Sequence, residues 1–251
     1  MNMNERMKEY YEGPYKVRLT KRVPVILRLD GKAFHTFTKG FAKPFDPILI
    51  EAMQLTMVDL CKNIQGAVFG YTQSDEISIF IQDYENLETS AWFDYELQKI
   101  CSISASMATL YFNRHFKDLI IKYDMPDDKF QEARCKAAMK GALFDARCFN
   151  IPKEEVTNYF YSRQTDAIRN SIQMVGQVYY TPKELNRKSC DNIKEMLTAK
   201  GIAWEDFRIC EQRGSACYKD EDWTLDTSIP LFKEMNRDYI ERFVYYDNEK
   251  I

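Results

Sequence analysis

The spacing of apolar and polar positions predicts a clear order of elements in the first part of the chain. Residues 23–29 form an aliphatic and β-branched run of strand length that ends at Asp30-Gly31. Asp46 followed by Pro47 is typical of a helix start. Apolar residues then recur at positions 49, 53, 57, 60 and 64, which is the stripe of an amphipathic helix.

A second helix and three more strands follow. Strands are predicted at residues 67–71 and 77–82, on either side of a polar bend that carries acidic residues. A helical pattern from about 94 to 115 comes next, and a polar stretch, 117–140, leads to a strand at 141–149. The resulting order, β-α-β-β-α-β, predicts an α+β fold of the ferredoxin-like, split-βαβ type, with helices on one face of an antiparallel sheet. Many nucleotide-polymerising enzymes use this architecture as their palm, although a fold alone does not give function.

After Pro152 the sequence pattern predicts mostly helices. Thr181-Pro-Lys-Glu184 is a capping box, a specific helix start. Residues 213–219 predict a late strand and residues 236–245 a last helix. We therefore expect a palm domain over residues 1–150 and a helical, finger-like region over residues 151–251 that packs on it.

Composition narrows the possible partners and cofactors. The 35 basic and 38 acidic residues give a net charge of −3, so nucleic acid would have to be bound by local basic clusters. The seven cysteines contain no Cys-x-x-Cys pair, which excludes a zinc ribbon, and two histidines exclude a multi-histidine metal site. The polar N-terminus and the absence of a long apolar stretch predict a soluble, cytoplasmic protein.

Acidic residues lie at two strand ends that the predicted topology brings together. Asp30 ends the first strand, and Asp75 and Glu76 begin the third, which is its antiparallel neighbour. The carboxylates of Asp30 and Asp75 would repel each other unless a divalent cation held them. Two Mg²⁺ ions about 3.5–4 Å apart form the usual clamp of phosphoryl transfer, and Mg²⁺ accepts a few carboxylates completed by substrate phosphates.

Strand alternation ranks these ligands. Asp75 and Glu76 are neighbours and point to opposite faces of an extended strand. We therefore expect Asp75 to bind metal directly and Glu76 to act as a secondary or water-mediated ligand. Gly31 permits close approach of the backbone, and its carbonyl is a candidate further ligand. On periodicity alone, solvated or turn-capping carboxylates remain the alternative.

Several motifs resemble those of one enzyme family. They are Arg28-Leu-Asp-Gly-Lys-Ala-Phe-His-Thr-Phe37, Phe41-Ala-Lys-Pro-Phe-Asp46, Tyr71-Thr-Gln-Ser-Asp-Glu-Ile-Ser78, Phe144-Asp-Ala-Arg147 and Arg163-Gln-Thr-Asp166. Together they resemble the tRNA-histidine guanylyltransferase family, and more closely its bacterial and archaeal branch of 3′-to-5′ RNA polymerases. The resemblance spans roughly residues 20 to 185.

The resemblance implies a catalytic palm domain that extends tRNA at its 5′ end. A 5′-monophosphate is first activated by a nucleoside triphosphate, with ATP and GTP as substrates, and the 3′-hydroxyl of an incoming nucleotide then displaces AMP. A 5′-triphosphate end can skip activation. The family's catalytic and metal ligands correspond to Asp30, Asp75 and Glu76, with the carbonyl of Gly31 and two Mg²⁺ ions.

The same resemblance implies a set of nucleotide contacts. They are Lys43, Ser74, Lys99, His35 and Asn170. For Lys99 the alternative is a lysine whose stem lies along apolar surface, and for His35 a packing role among phenylalanines. Arg163 and Asp166, one helical turn apart, could simply pair with each other.

One departure favours the template-dependent branch of the family. Eukaryotic members carry the motif H-I-N-N-L-Y-N, where this chain reads Ile168-Arg-Asn-Ser-Ile-Gln-Met174 and keeps only Asn170. The resemblance therefore implies repair of truncated tRNA 5′ ends by Watson–Crick pairing rather than untemplated addition of one guanosine.

Basic clusters are the candidate RNA contacts. Lys183, Arg187 and Lys188 are candidate ligands of tRNA phosphates. The resemblance also implies a homo-oligomer, a tetramer in the family. Two other functions stay open at this point. The first is another palm-fold nucleotidyl transferase or cyclase, and the second is a tRNA-binding protein whose catalytic site is retired.

Overall fold

The computed structural model describes residues 1–123 and 128–246. The strands are β1 (Val25–Gly31), β2 (Ala67–Gln73), β3 (Glu76–Ile81), β4 (Phe144–Asn150), β5 (Ser215–Lys219) and β6 (Trp223–Asp226). The α-helices are α1 (Met3–Met7), α2 (Phe34–Phe37), α3 (Pro47–Asn63), α4 (Leu97–Lys122), α5 (Gln131–Lys140), α6 (Lys153–Tyr179), α7 (Pro182–Leu185), α8 (Cys190–Thr198), α9 (Ile209–Arg213) and α10 (Asp238–Glu241).

Within the described residues the strands form one antiparallel sheet in the order β4-β1-β3-β2-β5-β6. The predicted order of elements in the first 150 residues is confirmed, and β1 and β3 are adjacent as expected. The register sets Asp30 of β1 opposite Glu76 of β3 on one side and Asp145 of β4 on the other. These three acidic residues therefore form a row across one face of the sheet.

Helices cover both faces of the sheet, and the second face is covered by α6, which belongs to the C-terminal region and not to the predicted split-βαβ unit. Val25 and Leu27 pack in a core with α3 and α4. Ile26, which points to the opposite face, packs with Phe80 and with Phe160 of α6. The continuous apolar run in β1 has its physical reason here, because a strand that is buried on both faces loses its polar alternation.

The polar stretch 117–140 is more helical than its sequence indicates. Helix α4 continues to Lys122, and α5 occupies residues 131–140; residues 124–127 lie outside the described part. Helix α5 buries only Arg134 and Ala137 and therefore has no apolar stripe for a sequence pattern to show. The predicted late strand is confirmed as β5, whereas the predicted last helix is shorter and ends at Glu241.

The C-terminal region adds to the same sheet as well as to its helical cover. Strands β5 and β6 extend the sheet beyond β2. The later part of α6 packs through Ile172 and Val175 against Ile193 and Leu197 of α8. The division at residue 150 stays a prediction. None of the helices in the described part of the chain combines the length and the apolar character that crossing a membrane requires.

Candidate active site

Two chain segments meet at the end of β1 and create the candidate site. Ser74 adopts a left-handed backbone (φ 52°) and turns the chain between β2 and β3. The N–H of Gly31 donates to the carbonyl oxygen of Asp75 at 3.0 Å. Asp30 and Asp75, 45 residues apart in sequence, are thus brought to the same end of the sheet, as the topology predicts.

A cluster of phenylalanines fixes the loop that follows Asp30. A Cβ on Gly31 would lie 2.3 Å from the Phe34 ring, so only glycine fits at this position. Phe34 itself packs against Phe112 and Phe144, with ring centroids 5.5 and 5.3 Å away. The anchored helix α2 then presents His35 to solvent.

The two aspartates occupy an environment that disfavours their ionised forms. Burial raises the pKa of Asp30, and the nearby Glu76 carboxylate raises it further. Burial also raises the pKa of Asp75, whereas the Ser74 hydroxyl, which donates to Asp75 Oδ1 at 3.0 Å, acts in the opposite direction. Within residues 1–123 and 128–246, neither carboxylate forms an ion pair with a basic side chain. The charges of Arg28 and Arg147 lower the pKa of Asp30, but burial outweighs them. Partly buried carboxylates with raised pKa values and no direct ion pair are typical of a functional site.

Glu76 differs from both aspartates because arginines neutralise it. Arg163 of α6 makes a two-pronged contact, from Nε to Oε1 at 2.7 Å and from Nη2 to Oε2 at 2.8 Å. Arg28 adds a third hydrogen bond to Oε2 at 2.7 Å. The Glu76 side chain is only 5% exposed. The Ser78 hydroxyl also donates to Oε1 at 3.4 Å. The contacts of the Glu76 carboxylate are thus with two arginines and a serine, and a role as a secondary or water-mediated ligand stays a prediction.

Only some of these arginine contacts could be predicted from the sequence. Arg28 lies two residues before Asp30, and strand alternation therefore puts both on one face. Arg163 does form the expected pair with Asp166, at 2.7 Å. Its contact with Glu76 spans 87 positions and has no local signal in the sequence.

Most of the predicted nucleotide contacts line one open cleft. We call it the nucleotide cleft. Gly31, His35, Lys43, Ser74 and Asp75 line it. A neighbouring cavity shares Ser74 with the cleft and is also lined by Asn170.

Lys99 is the predicted contact that the structure does not bring to this site. The part of α4 that is nearest to the site is the turn around Thr109. The Thr109 hydroxyl accepts a hydrogen bond from the N–H of Phe144, and Phe144 pairs with Gly31 in the sheet. Lys99 is ten residues earlier in the same helix, about 15 Å along its axis. Its ammonium lies 4.7 Å from the centre of the Phe93 ring, which fits the alternative of a lysine packed on apolar surface.

The predicted RNA contacts lie beyond the end of α6. Lys183, Arg187 and Lys188 are all exposed, on α7 and in the turn that follows it. They therefore lie on the surface of the helical region, which begins with the helix that carries Asn170.

Asp46 and Arg134 also build the site, and sequence analysis assigned Asp46 only a capping role. Asp46 caps α3 by accepting from the N–H of Leu49 at 3.1 Å, and it also accepts from the N–H of Ala42 at 3.1 Å. The Arg134 side chain of α5 donates to the same carboxylate at 3.0 and 2.8 Å. Both residues are buried, so this ion pair ties α5 to the wall of the nucleotide cleft.

The set of possible metal ligands is sparse. In the described ranges, no group of three or more His, Cys, Asp and Glu side chains is arranged to hold an ion by itself. Two carboxylates beside an open cleft instead suit an ion whose coordination is completed by a ligand and by water.

Comparisons with known proteins identify the family of this chain. The model of the tRNAHis guanylyltransferase (Thg1) family matches residues 4–152. A probable tRNA(His) guanylyltransferase of Dictyostelium discoideum is 26% identical over 237 residues, which cover 89% of this chain and 86% of the relative.

Two solved structures are similar over nearly the whole chain. A bacterial tRNA(His) guanylyltransferase (Thg1)-like protein in complex with ATP is 42% identical, with a TM-score of 0.86 over 98% of this chain and all of that one. A bacterial protein of the same description in complex with GTP is 40% identical, with a TM-score of 0.77 and the same coverage. The chain therefore belongs to the tRNA(His) guanylyltransferase family of nucleotidyltransferases.

Proposed function

We propose that this protein is a Mg²⁺-dependent 3′-to-5′ polymerase that adds nucleotides to the 5′ end of truncated tRNA, with the sheet and its helices as the palm. The observation that carries the proposal is the pair Asp30 and Asp75, two partly buried carboxylates beside an open cleft that form no direct ion pair within the described part of the chain. Similarity to bacterial relatives solved with ATP and with GTP supports nucleoside triphosphates as substrates.

The donor set fits Mg²⁺. The carboxylates of Asp30 and Asp75 are hard oxygen ligands, and the carbonyl of Gly31 is a third candidate. When bound, the metal ions would neutralise charge on the attacking and leaving oxygens of phosphoryl transfer. Glu76 would keep Arg28 and Arg163 fixed beside this pair.

The remaining cleft residues supply binding and orientation. Lys43 offers a point charge to phosphate, while Ser74 and Asn170 can donate hydrogen bonds to phosphate oxygens. A 5′-monophosphate would attack the α-phosphorus of ATP and release pyrophosphate, which leaves an adenylylated end. The 3′-hydroxyl of the incoming nucleotide would then attack that 5′-phosphate, and AMP would leave. A 5′-triphosphate end would need only the second step and would release pyrophosphate.

The departure at Ile168–Met174 from the motif of the eukaryotic enzymes supports template-dependent addition. With that motif missing, base pairing with the opposite strand of the acceptor stem would select the nucleotide. A homotetrameric assembly and a cytoplasmic location belong to the same proposal.

Extension of a labelled tRNA tests the proposed function. A tRNA that lacks its first 5′ nucleotide is incubated with Mg²⁺, ATP and each single nucleoside triphosphate. We expect growth by one nucleotide at the 5′ end with the triphosphate complementary to the template base. When the template base is changed, we expect the preferred triphosphate to change with it.

Three outcomes would contradict the proposal. Growth at the 3′ end or a cyclic nucleotide product would indicate a different palm-fold enzyme. Tight tRNA binding without any extension, across several truncated tRNAs and all four nucleotides, would indicate a binding protein. Extension with a nucleotide that does not follow the template base would contradict template dependence alone.

A further inference from the structure

We infer that a second, basic cleft beside α5 binds the phosphate backbone of the RNA whose 5′ end occupies the nucleotide cleft. This inference rests on the proposed function and assigns a substrate-binding surface to it. The cleft lies between α5 and the turn after α2, and we call it the α5 cleft. Its main lining residues are Lys39, Gly40, Lys129, Glu132, Lys136 and Lys140.

The α5 cleft carries positive charge in a chain whose net charge is −3. Four lysines line it against one glutamate, and that glutamate is paired with Lys136 at 2.5 Å. Lys39 and Lys140 form no ion pair with any residue in the described ranges. Positive charge that the protein itself does not neutralise is the electrostatic signature of a polyanion surface.

The arrangement of the lysines favours a chain of phosphates over one compact phosphate group. All four lysines are exposed. Lys136 and Lys140 are one helical turn apart on α5, about 6 Å along its axis. Lysine ammonium groups are flexible point charges and can each contact a different phosphate along a backbone.

One short loop joins the α5 cleft to the nucleotide cleft. Lys39 and Gly40 line the former, whereas Phe41 and Lys43 line the latter. A Cβ on Gly40 would lie 3.1 Å from the Cβ of Ala133, so this glycine lets the loop pack closely on α5. An RNA strand that ends at Asp75 can therefore cross this loop and continue along α5.

The ion pair between Asp46 and Arg134 holds the two clefts in a fixed relation. Arg134 is a buried residue of α5 that lies in the sequence between Ala133 and Lys136 of the α5 cleft, and Asp46 lines the nucleotide cleft. Both side chains are at most 4% exposed. The α5 cleft is thus a built extension of the site rather than a set of surface lysines on a free loop.

Removal of three lysines tests the inference. We compare wild type with the triple variant Lys39→Ala/Lys129→Ala/Lys140→Ala in binding to a 5′-truncated tRNA by fluorescence anisotropy at several salt concentrations. We expect the Kd for tRNA at 0.1 M salt to rise at least about tenfold. The slope of log Kd against log salt should fall by about 2, because fewer counterions are released. Binding of ATP should be unchanged, and in extension assays the KM for tRNA should rise while kcat is retained.

A matched triple variant controls for the loss of charge in itself. Lys62→Ala/Lys153→Ala/Lys219→Ala removes the same charge at positions where α3 and β5 end and α6 begins, away from the α5 cleft. This variant should bind tRNA as wild type does.

The possible failures separate the inference from the proposed function. If wild type extends tRNA and the α5-cleft variant binds tRNA with an unchanged Kd and salt slope, the inference is wrong and the proposed function stands. If the variant loses affinity for ATP as strongly as for tRNA, the cleft is a triphosphate site, which also overturns the inference. If wild type neither binds nor extends tRNA, the proposed function itself fails.

Discussion

At the scale of single residues, the candidate site contains two aspartates whose ionised forms are disfavoured in the folded protein. Burial raises the pKa of both Asp30 and Asp75. Their ionised forms therefore cost free energy in the folded state at neutral pH, and this cost disappears as the pH falls through the raised pKa values. A bound divalent cation would reverse the balance, since it favours the ionised carboxylates.

Neutral isosteres of these aspartates separate stability from activity. We expect Asp30→Asn and Asp75→Asn to raise the Tm of the metal-free protein, because each removes a disfavoured charge. Mg²⁺ should raise the Tm of wild type but not that of the variants. Nucleotide addition should fall at least about 100-fold, since metal stabilisation of transition-state charge is worth several kcal/mol.

The control for this experiment is Asp145→Asn. Asp145 is opposite Asp30 in the sheet but is exposed and lies 3.6 Å from Arg147. This variant should retain both activity and the Mg²⁺-induced rise in Tm. A lower Tm for metal-free Asp30→Asn, or full activity in that variant, would contradict the electrostatic account.

The proximity of Asp30 and Asp75 could be predicted from the sequence, whereas the ion pairs of Glu76 with arginines could not. Alternation in strands and the βαββαβ order were enough to bring the aspartates to one sheet end. Glu76 is bound by Arg163, which lies on α6, a helix from a later part of the chain that packs on the face of the sheet to which Ile26 points. No periodicity within a segment encodes a contact of that kind.

At the scale of elements, the contact between α6 and the sheet organises the site. Helix α6 carries Arg163, which bonds to Glu76 at the start of β3, and Asn170, which lines the cavity next to the nucleotide cleft. The ion pair of Glu76 with Arg163 thus sets the position of α6 relative to Asp30 and Asp75.

Removal of Arg163 should both destabilise the fold and impair catalysis. Arg163→Ala leaves the buried Glu76 carboxylate with Arg28 as its remaining cation among the described residues. We expect a loss of about 3 kcal/mol in the free energy of unfolding, which corresponds to a fall in Tm of roughly 6–12 °C. Arg163→Lys should lose less, because it keeps the charge but not the two-pronged geometry.

The matched control on the same helix is Arg169→Ala. Arg169 is 64% exposed and lies 3.5 Å from Asp166, so its loss should change the Tm by less than about 1–2 °C. Thermal unfolding followed by circular dichroism measures all three variants. Equal Tm values for Arg163→Ala and Arg169→Ala would show that the buried pair does not hold α6 in place.

Elements with an apolar stripe could be predicted from the sequence, and elements held by polar contacts could not. Helix α3 was visible from its apolar spacing and from its cap at Asp46. Helix α5 was missed because a buried arginine, Arg134, anchors it rather than an apolar face. The α5 cleft could not be predicted either, because Lys39 and Lys140 are far apart in the sequence and come together only in the fold.

At the scale of the whole molecule, the proposed function requires a chain with a net negative charge to bind RNA, which is itself a polyanion. We propose that two groups of exposed basic residues bind the RNA, the lysines of the α5 cleft and the cluster Lys183, Arg187 and Lys188. The nucleotide cleft is close to the first, and α6 leads from the site towards the second. Affinity for tRNA should therefore depend strongly on salt even though the overall charge is negative.

In the proposed function, Asp30 and Asp75 jointly hold a divalent ion against the phosphates of a nucleotide. Crystals of the protein with Mn²⁺ and a non-hydrolysable ATP analogue test this directly through anomalous scattering from the metal. We predict an anomalous peak about 2.1 Å from carboxylate oxygens of both aspartates and in contact with the triphosphate. Nucleotide bound in the cleft with no peak there, or with a peak that contacts only one of the two carboxylates, would contradict the account.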